Sequence, residues 1–144
     1  MPRPCPRLAA RAVLLHEDRL LLVNAYADNR LGLMCAPGGG VEAGASLPDN
    51  LRREVFEEAG VQVGQVSYLA SQPWPFPASL MFGCAGEATS HEITIDPKEI
   101  EEALWVSKED MMDVFAGQHP KIKPARKGAI AHFLLENWLA DTLD

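Results

Sequence analysis

The sequence predicts an α/β fold in a single domain spanning residues 1–144, with one mixed β-sheet packed between helices. The length of 144 residues is usual for one domain, and 47% hydrophobic with 23% charged residues is typical of a folded globular chain. Short β-capable apolar runs alternate with two or three helical segments. No repeat, linker or apolar run of about 20 residues interrupts this pattern, so neither a second domain nor a membrane span is expected.

The first part of the chain is predicted to form a hairpin, a short strand and a helix. In order, we predict strands over residues 8–15 and 20–24 joined by a tight turn at 16–19, a loop over 25–32, a strand over 33–36 and a glycine loop over 37–40. Ser46 is a suitable N-cap, apolar residues recur at every fourth position, and Gly60 is a stop signal. These signals predict a helix over 47–59.

The second part is predicted to be mainly strands, followed by two helices. In order, we predict strands over residues 61–71, with Gly64 interrupting it, 79–88 and 103–106, a short extended piece over 93–95, and helices from Ser107 to about 116 and over 125–140. Alternating prolines in residues 72–78 remove backbone donors. That segment is therefore predicted to be a stiff extended loop, neither helix nor strand.

Charge and cysteine content exclude several classes of protein. Thirteen basic and twenty acidic residues give a net charge of −7, which disfavours bulk binding to nucleic acid and to membranes but suits a small charged ligand held through a metal ion. Three cysteines without C-x-x-C spacing indicate neither a structural zinc site nor a disulfide framework. The first residues alternate arginine with proline and lack a secretory signal, so a cytoplasmic protein is expected.

The predicted helix over 47–59 carries an acidic cluster. At about 100° per residue, Glu54, Glu57 and Glu58 fall within an arc of roughly 100°. Like charges at this spacing destabilise an exposed helix by a few tenths of a kcal/mol per pair. A divalent cation bound between the carboxylates would make the arrangement favourable. A solvated acidic face is the alternative. A glycine loop closely precedes the helix. The loop and the acidic helix together are therefore also suited to bind a metal-bound diphosphate.

Residues 39–61 resemble the Nudix box, Gly-x5-Glu-x7-Arg-Glu-U-x-Glu-Glu-x-Gly-U, in which U is aliphatic. Eight of the nine specified positions match, and Ala45 stands where the first glutamate is expected. The resemblance implies a Nudix α/β/α sandwich and hydrolysis of a nucleoside diphosphate derivative with Mg²⁺ or Mn²⁺. The implied metal ligands are Glu54, Glu57, Glu58 and the Gly38 carbonyl, with Arg53 orienting the glutamates. Since the missing glutamate ties the loop to the helix in this family, we expect a looser cradle and reduced activity.

Residues 71–79 read SQPWPFPAS and carry two aromatic side chains fixed by prolines. On composition alone they are either a rigid surface connection or a stacking site for a planar base. The string resembles the signature SQPWPFPxS of NADH pyrophosphatases, which split NADH into AMP and reduced nicotinamide mononucleotide and remove NAD caps from RNA. The residues that the resemblance implies for the substrate are Gln72, Trp74, Phe76, Ser79 and Ala131. It also implies a metal-site role for Glu87.

Two departures leave alternatives open. Gly40 replaces the phenylalanine that stacks on a substrate ring in that group, and residues 1 to about 52 resemble a short stand-alone Nudix protein. We therefore hypothesise a chimera of two Nudix proteins. ADP-ribose or another nucleoside diphosphate derivative is the alternative substrate, and a weakly active nucleotide-binding module is the alternative class. The expected partners are a dinucleotide, an NAD-capped RNA end and a second copy of the chain in a homodimer, with no membrane.

Overall fold

The computed structural model describes residues 7–24, 34–74, 79–98, 100, 102–123 and 130–142. Its strands are β1 (Arg7–His16), β2 (Arg19–Asn24), β3 (Met34–Cys35), β4 (Gly38–Gly40), β5 (Val63–Trp74), β6 (Ser79–Ala88) and β7 (Ala103–Val106). Its helices are α1 (Leu47–Ala59), α2 (Lys108–Phe115) and α3 (Ile130–Leu139). The α/β class is confirmed. No helix among the described residues is long and apolar enough to cross a bilayer.

The sheet is mixed, as predicted, and β1 lies at its centre. The strand order is β3-β2-β1-β6-β5, with β4 also paired to β1 and β7 to β2. Only the β1–β6 pairing among these described strands is parallel; the others are antiparallel. Because β6 flanks β1 along nine residue pairs, β2 and β4 share the other flank of β1, one at each end.

Two cores cover the two faces of the sheet, because successive side chains of a strand point to opposite faces. Leu14 belongs to the core that contains Leu51 and Val55 of α1. Its neighbour Val13 belongs to the core that contains residues of α2 and α3, including Leu134. The helices therefore form layers on both sides of the sheet, which is the predicted three-layer α/β/α arrangement.

The helix and hairpin predictions are confirmed where the structure describes them. Ser46 caps α1 by accepting a hydrogen bond from the backbone N–H of Asp49, and the helix ends at Gly60 with φ of 70°. The β1–β2 connection needs only two residues, Glu17 and Asp18, both with positive φ, as tight hairpins prefer. The predicted start of α3 at 125 and the loop over 25–32 lie outside the described residues.

Two local predictions are wrong. Residues 38–40 are a strand paired with Ala9–Arg11 instead of a free loop. Gln72, Pro73 and Trp74 belong to β5 and pair with β6. A proline is compatible with this strand because β5 lies at the edge of the sheet formed by the described strands, where one side of the strand has no ladder to complete.

Candidate active site

Helix α1 places one of its glutamates directly on the glycine strand β4. A Cβ atom built on Gly39 would lie 2.8 Å from Oε2 of Glu54. Any larger residue at 39 would therefore displace this carboxylate. The side chain of Glu54 is 21% exposed, so it is partly shielded from solvent beside β4.

The two other glutamates of α1 have different environments. Glu58, one turn after Glu54, is buried, and Glu57 is exposed. Burial is the main cause that raises the pKa of the Cys35 thiol; Arg11 lowers it and the negative charge of Glu58 raises it further. The charge of Glu58 thus acts at the end of β3. The structure brings Glu54 and Glu58 to the β3–β4 side of the helix and leaves Glu57 open to solvent.

Gly38 supplies a backbone carbonyl that only a glycine can place here. Its φ is 151°, and a Cβ atom would lie 1.9 Å from the carbonyl oxygen of Ala10. The carbonyl oxygen of Gly38 accepts a long hydrogen bond of 3.5 Å from Nη1 of Arg11, which also donates to the carbonyl of Ala36 at 3.2 Å. This predicted metal ligand is therefore oriented by a guanidinium group, and its second lone pair is available to a further partner.

Arg53 joins the helix to the segment that follows β4. Its Nη1 lies 2.8 Å from Oε2 of Glu42, and its Nη2 lies 3.3 Å from Oε1 of Glu54. The hydrogen bond to Glu42 is the main cause that raises the pKa of Arg53. Arg53 thus contacts both Glu54 and the loop residue Glu42, and its orienting role stays a prediction.

Asn50 is a site residue that sequence reasoning missed. It is 1% exposed, its Nδ2 donates to the carbonyl of Gly40 at 2.9 Å, and its Oδ1 accepts from the backbone N–H of Glu42 at 3.1 Å and from Arg53 at 3.0 Å. A polar residue beside Leu51 on the buried side of α1 was the available signal. The loop is fastened to the helix by these bonds although residue 45 is an alanine.

The donor set next to Gly39 suits a hard divalent cation. Carboxylate and carbonyl oxygens are the ligands that Mg²⁺ and Mn²⁺ prefer, and Mg²⁺ is commonly held by one or two carboxylates together with substrate phosphates. Within the described ranges, no three histidine, cysteine, aspartate or glutamate side chains converge closely enough to hold a metal ion. A cation at this place would therefore need the two carboxylates of Glu54 and Glu58, the Gly38 carbonyl and oxygens of the bound substrate.

Glu87 is not brought to these residues. It pairs with Leu15 in β1, whereas Gly38 pairs with Arg11, four residues or ~13 Å along the same strand. Residues at odd positions of β6 face α3, since a Cβ on Gly83 would meet Leu134. Glu87 is exposed and lines a separate groove of ≈ 650 Å³ with His16 and Asp18. Its metal role stays a prediction, one that this geometry does not favour.

The strand pairing shows where the backbones of most of the other predicted substrate residues lie. Gln72 pairs with Met81, which pairs with Ala9, which pairs with Gly40, so one row crosses the sheet from the signature to the box. The backbones of Trp74 and Ser79 pair at the adjoining ends of β5 and β6, and Ala131 lies in the first turn of α3. The structure describes none of these last three side chains, and Phe76 lies outside the described residues. Both motifs therefore reach the same end of the sheet.

An open groove of ≈ 630 Å³ lies at the Gly40 end of this row, between the start of β1, the loop after β4 and α1. Arg7, Gly40, Glu42 and Glu54 line it together with the loop over 43–45. A ligand in this groove would contact the glycine strand and the first glutamate of α1 at once.

Comparison with known proteins identifies the family. The family model of the NUDIX domain matches residues 6–133. The chain belongs to the NUDIX domain family. Solved structures share the fold: a NUDIX hydrolase from Nitrosomonas europaea superimposes with a TM-score of 0.76 at 19% identity, covering 97% of this chain and 73% of that one. The ORF135 protein of E. coli gives 0.64 at 26% identity, covering 93% and 89%.

Curated relatives carry more specific names. The chain is 44% identical over 111 residues to a Homo sapiens protein named NAD-capped RNA hydrolase NUDT12, covering 75% of this chain and 24% of that protein. It is 39% identical over 137 residues to NAD-capped RNA hydrolase NudC of Salmonella agona, covering 95% and 48%. The NUDIX chain thus spans less than half the length of these relatives. The hypothesis of a chimera stays a prediction, although the Salmonella protein aligns with both of its segments.

Proposed function

We propose that this NUDIX chain hydrolyses the diphosphate bond of a dinucleotide, preferably NADH or NAD⁺, to AMP and the corresponding nicotinamide mononucleotide. The observation that carries the proposal is the placement of Glu54 against Gly39 with Glu58 one turn further along α1. The names of the relatives support the substrate class. An NAD-capped RNA end as a substrate and a homodimer are part of the same proposal.

The charges explain why a metal ion is required. Glu54, Glu57 and Glu58 would repel a diphosphate, and bound Mg²⁺ or Mn²⁺ would neutralise both partners and lower the pKa of the attacking water. Glu54, Glu58 and the Gly38 carbonyl would hold the cation. Arg53 keeps Glu54 and the loop in place by its two ion pairs.

Glu57 is the residue we assign to proton transfer, because its carboxylate is exposed to solvent and lies on the same helix as Glu54 and Glu58. In the reaction, the water oxygen bonds to one phosphorus and the bond from that phosphorus to the bridging oxygen breaks. The bridging oxygen leaves with the other phosphate, and the proton of the water passes through the Glu57 carboxylate to solvent. Two monophosphates result.

The test is chromatographic product analysis after incubation with NADH, NAD⁺ or ADP-ribose, with Mg²⁺ or Mn²⁺ and with EDTA. The wild-type chain should release AMP only when metal is present, and Glu57→Gln should lower the rate by about 100-fold or more, the usual contribution of a general base. Glu109→Gln is the matched control, since Glu109 is an exposed glutamate of α2 on the other face of the sheet. Full turnover by Glu57→Gln would refute the assignment of Glu57.

A second candidate substrate is ADP-ribose. The atoms nearest to a Cβ built on Gly40 are at 3.8 Å or more, and the groove beside it has no aromatic residue among the described ones. ADP-ribose, which has no nicotinamide ring to stack, therefore loses no stacking contact at this position. Faster release of AMP from ADP-ribose than from NADH would favour this candidate. A nucleotide-binding module would instead raise its melting temperature with ligand and release no AMP.

A further inference from the structure

The side chain of Asn50 connects three parts of the site: the strand β4, the loop after it and the helix α1. Its amide nitrogen holds the carbonyl of Gly40 at the end of β4. Its oxygen holds the backbone N–H of Glu42 in the loop and, at the same time, the guanidinium of Arg53 on α1. With one donor and two acceptor contacts, the amide fixes the strand, the loop and the helix relative to each other.

The surroundings of Asn50 make these bonds hard to replace. The residue is 1% exposed, so water cannot take over its contacts without opening the structure. The neighbouring ion pair between Arg53 and Glu42 is different, because the Glu42 side chain is 68% exposed and water or salt can screen it. Of the two links between loop and helix, the Asn50 link is the rigid one.

The geometry points to Asn50 as a positioning residue for the metal-binding carboxylate, an inference that rests on the proposed function. Arg53 donates to Asn50 and to Glu54 through the same nitrogen, Nη2, at 3.0 and 3.3 Å. Asn50 also anchors Gly40, next to the Gly39 on which Glu54 packs. One side chain thus sets both the orientation of the arginine that contacts Glu54 and the position of the strand beneath that carboxylate. Because the hydrogen bonds of Asn50 go to Gly40, Glu42 and Arg53, its effect on a bound cation is indirect.

The experiment measures Mn²⁺ binding by titration calorimetry in the presence of a non-hydrolysable dinucleotide analogue, together with turnover of NADH. Loss of a residue that orients a ligand typically weakens metal binding 10- to 100-fold. We expect Asn50→Ala to raise the Mn²⁺ Kd about 10-fold or more at a temperature well below its melting transition. Glu109→Gln, an exposed glutamate of α2 on the other face of the sheet, is the control and should leave the Kd unchanged.

A conservative variant separates positioning from folding. Asn50→Asp keeps the oxygen that accepts from Glu42 and Arg53 but lacks the donor to Gly40, so it should bind Mn²⁺ with a Kd between those of wild type and Asn50→Ala. It also serves where Asn50→Ala does not fold. Equal Kd values in wild type and Asn50→Asp, with Asn50→Ala either equal or unfolded, would overturn the inference. Mn²⁺ binding without dinucleotide turnover would refute the proposed function alone, and no Mn²⁺ binding by the wild type would overturn both.

Discussion

Three glycines in and after β4 give a graded test of how the backbone of the site is built. A Cβ at Gly38 would lie 1.9 Å from the Ala10 oxygen, 2.9 Å from its carbon and 3.0 Å from the Cα of Arg11, all backbone atoms, at a φ of 151°. A Cβ at Gly44 would meet nothing within 4 Å, although φ is 84°. A Cβ at Gly40 would meet nothing closer than 3.8 Å, and its φ is not in the positive range.

These distances set the expected cost of each alanine. Gly38→Ala combines strain at a sparsely populated φ, ~1–3 kcal/mol, with a forced backbone shift of similar cost, so we expect a loss of about 3 kcal/mol or more in the free energy of unfolding. Gly44→Ala has the conformational cost alone, roughly 1–2 kcal/mol. Gly40→Ala should be neutral or gain about 0.5 kcal/mol, because alanine reduces the entropy of the unfolded chain.

The assay is urea unfolding followed by tryptophan fluorescence, using the three tryptophans of the chain. Equal m-values across the three variants would show that the differences in midpoint reflect the free energy of unfolding. The reasoning would be refuted if Gly38→Ala were no less stable than Gly44→Ala, since the contact with the Ala10 backbone is the main difference between these two positions.

Three further predictions concern separate features. Gly39→Ala should change the free energy of unfolding by less than about 1 kcal/mol, since its Cβ meets only the end of the flexible Glu54 side chain, yet weaken Mn²⁺ binding in calorimetry; unchanged Mn²⁺ affinity would contradict it. Ser46→Ala should lose ~1 kcal/mol in urea unfolding, because it removes the side-chain cap on Asp49, and Ser46→Asp should retain most of it. Burial raises the pKa of the Cys84 thiol above its ordinary value, so as the pH rises the unfolded chain loses this proton before the folded chain does. This contribution to stability therefore falls above about pH 9. Unfolding free energies of wild type and Cys84→Ala, measured from pH 7 to 10.5, should therefore differ by a constant amount up to pH 8 and change relative to each other above pH 9; a constant difference throughout would count against it.

Local signals explain why α1 could be predicted from the sequence to the residue. Its cap, its apolar spacing and its stop signal all lie within the segment from Ser46 to Gly60. The same signals place Glu54 and Glu58 on one side of the helix. The carboxylates of the site could therefore be predicted from the sequence. Their spacing left open whether they bind a metal ion or form a solvated face, and the resemblance to the family box favoured metal binding.

Non-local pairing explains the errors. Glycines 38–40 look like a loop by composition, and only the neighbouring backbone of β1 makes them a strand. Pro73 looks like a strand breaker until the topology places β5 at an edge. Asn50 has no distinctive local pattern, because its role depends on Gly40 and Glu42, which fold back onto the helix. Glu87 depends on register, since a strand's period of two decides which face a side chain reaches.

The β1–β6 register also bears on the hypothesis of a chimera. Nine consecutive residues of β1 pair with β6, so the sheet joins the segment before the helix to the segment after it along most of both strands. The core under α1 mixes Ala10 and Leu14 with Cys84 and Ala88 of β6. A junction within α1 would therefore combine two surfaces that must match in register and in volume, because a slip of one residue would turn each buried side chain of β6 to the wrong face. If the chain is a recombinant, its parents must already have shared this strand pairing, which is what two members of one fold family would supply.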